Sequence, residues 1–177
     1  MQIEKPKIRY STRRAFTLIE LILVMALLTI LTSLVTPSIS RFLAGRALDS
    51  EARQLLSLTH AARSRAAADG FPMLLWVDSP RRAYGLQEEG KIQNGNVQDV
   101  DPKAEEFSVG DNVQVEAVNA SPVQVNGQSL PAIRFLPEGV VDENSPPALR
   151  LTSRDGETLW LIQPTNGLNY EIRNSDQ

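Results

Sequence analysis

From Phe16 to Val35 the chain runs for twenty residues with a single charge, Glu20. A helix of that length covers about 30 Å, the thickness of a bilayer's hydrocarbon core. Pro37 then interrupts the pattern. From Ser38 to Asp69 the apolar residues Ile39, Phe42, Leu43, Leu48, Leu55, Leu58 and Ala62 recur at mostly helical spacing. Arg41, Arg46, Glu51, Arg53, Gln54 and Arg63 fall between them, which predicts an amphipathic helix. Gly70, followed by Phe71 and Pro72, supplies its stop. The expectation is a long helical stalk whose first half needs lipid or partner chains and whose second half needs a domain to lie against.

Beyond Pro72 the signal turns to β. Met73 to Val77, the turn Asp78-Ser79-Pro80-Arg81-Arg82 and Ala83 to Leu86 predict a hairpin. The polar stretch Gln87 to Glu106 reads as a long loop. Val113 to Val118 alternates, and Ala132 to Leu136 is a further strand closed by Pro137-Glu138-Gly139. Leu149 to Thr152 and Leu159 to Ile162, joined through Asp155-Gly156, make the clearest hairpin. Tyr170 to Ile172 closes the domain as a short edge strand. The fold class is α+β: a long N-terminal helix packed on an antiparallel sheet.

Composition sharpens this picture at the N-terminus. Hydrophobic content of 42%, charged content of 22% and a mean hydropathy of −0.20 are ordinary for a globular protein, but the apolar residues are concentrated near the start. Lys5, Lys7, Arg9, Arg13 and Arg14 face only Glu4 in residues 1–15, so the remainder is acidic. An acidic body is a poor partner for nucleic acid, whose phosphates require clustered Lys and Arg. With no cysteine, disulfides, thiol catalysis and Cys-ligated zinc are excluded.

Three bland readings compete for the basic leader and apolar run. A cleaved secretory signal has a shorter apolar core followed by a small-x-small site; this run is longer and continues into an amphipathic helix, although Ser38-Ile39-Ser40 formally offers such a site. A buried core helix does not account for so long a stretch with one charge. A plain membrane anchor has no use for Glu20, since an acid within a span is costly and by default functional.

The residues around that acid read Arg13-Arg14-Ala15-Phe16-Thr17-Leu18-Ile19-Glu20-Leu21. This stretch resembles the prepilin signal of type IV pilins and type II secretion pseudopilins. The resemblance implies that a membrane aspartyl peptidase cuts between Ala15 and Phe16 and methylates the new Phe16 amine. It makes Glu20 the assembly residue and Pro37 a helix-bending proline. The family usually has Gly before the cut, where this chain has Ala15; alanine is still small, and processing is expected. Cleavage would leave an ammonium group in an apolar setting, where the Glu20 carboxylate, four residues on or in a neighbouring subunit, offers a charge partner. The basic leader places the N-terminus in the cytoplasm and the β domain outside, in the periplasm.

Further along, Ala61-Ala62-Arg63-Ser64-Arg65-Ala66 with Met73-Leu74-Leu75-Trp76-Val77 resembles the H-type minor pseudopilins and related minor pilins. So do Ile133-Arg134-Phe135-Leu136-Pro137-Glu138-Gly139 and Thr165-Asn166-Gly167. The resemblance implies four parts: a cleaved leader (1–15), a transmembrane assembly helix (16–37), an amphipathic helix (38–70) and a periplasmic β-rich domain (71–177). It implies a minor pseudopilin of the inner membrane, incorporated into a type II secretion pseudopilus that supports export of folded proteins. Its partners would be other pseudopilins, met through the N-terminal helix, together with the prepilin peptidase and an inner-membrane assembly platform. The alternative is a type IV minor pilin serving pilus initiation and DNA uptake. One arginine against two acids after Gly167 disfavours it, while Arg81, Arg82, Arg150 and Arg154 remain as local basic positions.

No catalytic constellation, cofactor or metal site is expected. His60 reads as a helix-surface or packing residue. Asp99, Asp101, Glu105, Glu106 and Asp111 lack an EF-hand pattern and read as a solvated acidic loop rather than a calcium site. Trp76 and Trp160 read as core, and Gly139 and Gly167 as turn glycines.

Overall fold

The computed structural model describes residues 16–93, 96–98, 101, 103–164 and 169–174, side chains at 34–43 and 91–98 excepted. Helix α1 runs from Leu18 to Asp69 as a single element, one long stalk that continues through position 37. The chain divides within α1 into two compact units, Met1–Ser40 and Arg41–Gln177.

In the second unit the stripe Ala44, Leu48, Ala52, Leu55, Leu58, Ala62 and Ala66 is buried at three- and four-residue intervals. The stripe is made of small alanines and larger leucines on one helix face, the amphipathic arrangement that packs a helix on a core. Gly70, at φ 74°, ends the helix in the left-handed conformation. Its N–H donates to the Ala66 carbonyl at 3.1 Å, and the lack of a Cβ makes that conformation cheap.

Eleven strands follow among the described residues: β1 (Met73–Asp78), β2 (Ala83–Glu88), β3 (Lys91–Gln93), β4 (Asn96–Gln98), β5 (Glu105–Ser108), β6 (Val113–Val118), β7 (Pro122–Val125), β8 (Gln128–Phe135), β9 (Ala148–Ser153), β10 (Thr158–Ile162) and β11 (Glu171–Arg173). They form a sheet ordered β5-β2-β1-β8-β7, a second ordered β11-β10-β9-β6, and the β3-β4 ribbon, with every named pairing antiparallel. The expected long loop from Gln87 to Glu106 therefore contains the β3–β4 hairpin and the start of β5. Strands β5 and β7 escape the sequence pattern because they are short and polar, and because β7 opens on Pro122, which cannot donate to a ladder.

The α1 stripe and the inner faces of both larger sheets share one core, built around Leu48, Leu55, Leu75, Tyr84, Phe135 and Leu151. Strand β1 is buried on both faces, which explains its unbroken apolar run. Its inner residues Met73, Leu75 and Val77 meet that core, while Leu74 and Trp76 join Ala83, Val125 and Ala132 in a second cluster on the other face. Gly85 lies opposite Trp76 in the β1–β2 register. A Cβ built on Gly85 would lie 2.5 Å from Trp76 Cζ2 and closer still to the Glu105 carbonyl oxygen. The indole therefore occupies the room that a side chain at 85 would take.

Where the two sheets meet, side chains of the β1–β2 turn finish the free edge of β6. The Ser79 hydroxyl donates to the Val115 carbonyl at 2.7 Å, and Arg82 Nη2 donates to the Val113 carbonyl at 3.3 Å. Two tyrosines anchor the core from within. Tyr84 donates to Glu51 Oε1 at 3.0 Å and Tyr170 to the Pro146 carbonyl at 2.7 Å, and burial pushes both phenols well above their ordinary range.

Candidate maturation and assembly site

The segment from Phe16 to Ser33 is exposed along its whole length. Phe16 is 79%, Ile19 73% and Leu23 67% accessible, and the uncovered side chains include Leu18, Leu21, Ile22, Val24, Met25, Leu27, Leu28, Ile30 and Leu31. A helix apolar all round has no face suited to water. Its hydroxyls are turned inward on the backbone: Thr29 Oγ1 donates to the Met25 carbonyl at 2.8 Å, Thr32 Oγ1 to Leu28 at 2.9 Å and Ser33 Oγ to Ile30 at 2.7 Å. Such bonds satisfy the donors without solvent, which leaves Glu20 as the polar exception.

Among the described residues no helix is long and apolar enough to cross a membrane. The side-chain description stops at Ser33, so the stretch from Leu18 covers about 24 Å at the helical rise. The rest of the expected 16–37 span, with Pro37, lies on residues whose side chains are outside the description. The leader and Ala15 also lie outside the described residues, as does the Thr165-Asn166-Gly167 motif.

Thr17 begins the helix. Its carbonyl accepts from the Leu21 N–H at 3.2 Å and its Oγ1 accepts from the Glu20 N–H at 3.3 Å. These are the two bonds of an N-cap, with Leu18 as the first helical residue and Glu20 at the third. Glu20 is the acid of the first turn, where the helix dipole favours a negative charge by about 0.3–1 kcal/mol. The acid thus has a local use in addition to any pairing. The expectation for Glu20 did not include the cap. The spacing Thr-x-x-Glu at Thr17 and Glu20 is the sequence signal that reveals it.

The domain's charged side chains are mostly engaged in holding the fold. Arg65 donates to Asp101 Oδ2 at 3.0 Å and to the Lys103 carbonyl, while Asp101 also accepts the backbone N–H groups of Glu88 and Lys103. Burial raises the Asp101 carboxyl, but these bonds and Arg65 outweigh it and hold the group below its ordinary range. Asp101 is therefore a tether from the 87–106 stretch to α1, not part of a solvated acidic loop. No group of three or more metal-ligating side chains occurs among the described residues. Arg134 bridges Glu89 at 2.6 Å and Asp142 at 3.2 Å.

His60 is exposed on α1. Trp76 is buried, whereas Trp160 is not core: it lies half-buried on the outer face of β10, paired across strands with Arg150 and Arg173. The Arg150 guanidinium lies 5.9 Å from the Trp160 ring centroid and is also bonded to Glu116. Two more of the four local basic positions are similarly occupied. Arg81 pairs with Asp78, and Arg82 bonds Asp111 and the Gly110 and Val113 carbonyls. A polar cleft of about 390 Å³ beside Arg82, lined also by Asp111 and Arg154, carries mixed charge rather than a basic surface.

Residues 10–36 match the prokaryotic N-terminal methylation motif, and residues 51–167 match the type II transport protein GspH. The chain belongs to the GspH family. Two solved structures of the minor pseudopilin EpsH from the type 2 secretion system of Vibrio cholerae share the fold. One superposes with a TM-score of 0.50 at 15% identity, covering 71% of this chain and 93% of that one. The other gives 0.51 at 14% identity, covering 72% and 92%. No curated protein sequence matches significantly. The α+β fold, with its helix on antiparallel sheet, is the pseudopilin fold. Membership makes the chain a minor pseudopilin of type II secretion, a structural subunit that associates with other pseudopilins in a membrane-anchored filament.

Proposed function

We propose that the chain is made as a precursor, cut between Ala15 and Phe16 by a prepilin peptidase, methylated on the Phe16 amine, and drawn from the inner membrane into the secretion pseudopilus. The observation that carries this reading is the uncovered apolar helix from Phe16 to Leu31 on a chain whose second unit has a complete core. Surface of that kind is stable only in lipid or against other subunits. The basic leader keeps its end cytoplasmic and the β domain periplasmic. Pro37 removes one helix N–H and so supplies a bend where the chain leaves the span. Glu20 pairs with a liberated amine, its own or a neighbour's, in a low dielectric where pairing is strong. The inner-membrane platform supplies the site of addition. The chain works without catalysis, cofactor or metal, and binds no nucleic acid through its tied-up arginines.

A deletion strain scored for its culture-supernatant proteome and its transformation frequency tests the role. Loss of secreted enzymes with normal DNA uptake is expected. Lost uptake or piliation with a normal secretome would transfer the chain to a type IV pilus.

A further inference from the structure

Among the described residues the two larger sheets have four edges, β5 and β7 on one and β11 and β6 on the other. Three of them are guarded. Strand β5 carries Glu105 and Glu106, β11 carries the bonded pair Glu171 and Arg173, and β6 has its carbonyls at Val113 and Val115 taken by Arg82 and Ser79. Charges and occupied acceptors of this kind keep sheet edges from pairing with other chains. Strand β7 has neither. No charged residue occurs from 117 to 133, although the chain as a whole is 22% charged. We propose that β7 is a self-pairing edge, across which a second copy of this chain lays its own β7, antiparallel and about a two-fold axis at Gln124.

The hairpin presents this edge in a fixed form. Asn126 (φ 49°) and Gly127 (φ 79°) make the connecting turn, both left-handed as a two-residue type I′ turn requires. In such a hairpin the flanking pair Val125↔Gln128 exchanges both backbone bonds, and bonding alternates along the ladder. The N–H and C=O of Gln124, opposite Ser129, therefore turn away from β8. The tip is pinned on two sides: Asn126 Nδ2 donates to Gln87 Oε1 at 3.0 Å, and Arg81 Nη2 donates to Gln128 Oε1 at 3.2 Å. Val123 and Val125 turn to the cluster around Leu74 and Trp76, whereas Pro122 and Gln124 are exposed. A strand added with Gln124 opposite its own counterpart brings Val123 beside the other copy's Val125, with no like charges across the seam. A charged strand would lose hydration there and find no counter-charge. The edge is thus its own complement. Pro122 lacks an N–H and limits the pairing to a short stretch. Chains anchored side by side in one filament supply the local concentration that so small a contact needs.

The chain has no cysteine, so single-cysteine variants of the full-length protein test the pairing, oxidised mildly in membranes and read as covalent dimer on non-reducing gels. With the axis at 124, two Gln124→Cys chains bring their Cα atoms to about 5.5 Å, inside disulfide reach. Two Pro122→Cys chains, altered on the same exposed edge, hold theirs roughly 13 Å apart, outside it. Glu106→Cys and Glu171→Cys mark the guarded edges of β5 and β11. Dimer at 124 is expected to exceed that at 122, 106 and 171 by at least about ten-fold. Equal yields at 124 and 122 would mean random collision and would overturn the proposal, as would the absence of dimer at 124. Linkage from position 124 chiefly to a different protein would overturn it too, because the edge would then serve another strand.

Discussion

Gly85→Ala is the perturbation whose cost the structure fixes best. The new methyl would lie 2.5 Å from Trp76 Cζ2 and nearer still to the Glu105 carbonyl oxygen. Neither neighbour yields easily: the indole is 4% exposed in the second core cluster, and the carbonyl belongs to β5, paired with β2 through Gly85↔Glu106. Overpacking of a core costs about 1–3 kcal/mol, and two rigid neighbours place this site at the upper end, about 3 kcal/mol. With a urea slope of about 2 kcal/mol per molar, the midpoint falls by about 1.5 M. The assay is urea unfolding of residues 41–177, a compact unit, followed by far-UV circular dichroism. In a Trp76→Ala background the same substitution loses one of its two clashes, so a coupling of about 1 kcal/mol or more is expected. A shift below about 0.5 kcal/mol, or strict additivity with Trp76→Ala, would refute the idea that ring and carbonyl reserve this space.

Other outcomes follow from the same geometry. Leu55→Ala, at a fully buried position of the α1 stripe, is expected to cost about 2–5 kcal/mol in the same unfolding assay. Glu20→Ala is expected to leave membrane insertion intact and to reduce incorporation into the filament; pull-down with tagged pseudopilins reads this, and unchanged incorporation counts against the pairing role. Asp78, Asp101 and Asp142 are all held below the ordinary aspartate value of 3.8, chiefly by Arg81 at Asp78 and by the Asn144 N–H at Asp142. Because the unfolded chain binds these protons first, their stabilisation is complete above that value and is lost as pH falls below it. Urea midpoints should be flat in these groups' contribution down to about pH 5 and then drop. Asp101→Asn should flatten the drop.

The sequence disclosed most where one periodicity acted alone. The stalk's buried stripe was legible because Leu48, Leu55, Leu58 and Ala62 recur at helical spacing, and β1 because burial on both faces makes a continuous apolar run. Trp160 was misleading for a related reason. It sits between Leu159 and Leu161, so the run conceals the alternation that turns the leucines inward and the indole outward beside Arg150. Strand β7 was hidden by Pro122, tolerated because it opens an edge strand opposite Pro131. The tether at Asp101 was invisible because its partner, Arg65, lies 36 positions away in sequence. At the N-terminus, Phe16 and Glu20 stood out by type and spacing. The cap at Thr17 is carried by the Thr-x-x-Glu spacing to Glu20, a weaker mark than the lone charge beside it.

The finishing of β6 by Ser79 and Arg82 has a consequence for life in a crowd. A subunit waiting among many copies of related chains is at risk of pairing strand to strand with the wrong neighbour. The carbonyls of Val113 and Val115 are the acceptors an intruding strand would seek, and both are already engaged by the chain's own turn. An incoming chain must break bonds before it makes any. This seam is closed to strand addition, and mutations that free these two carbonyls would trade ordered addition for indiscriminate clumping.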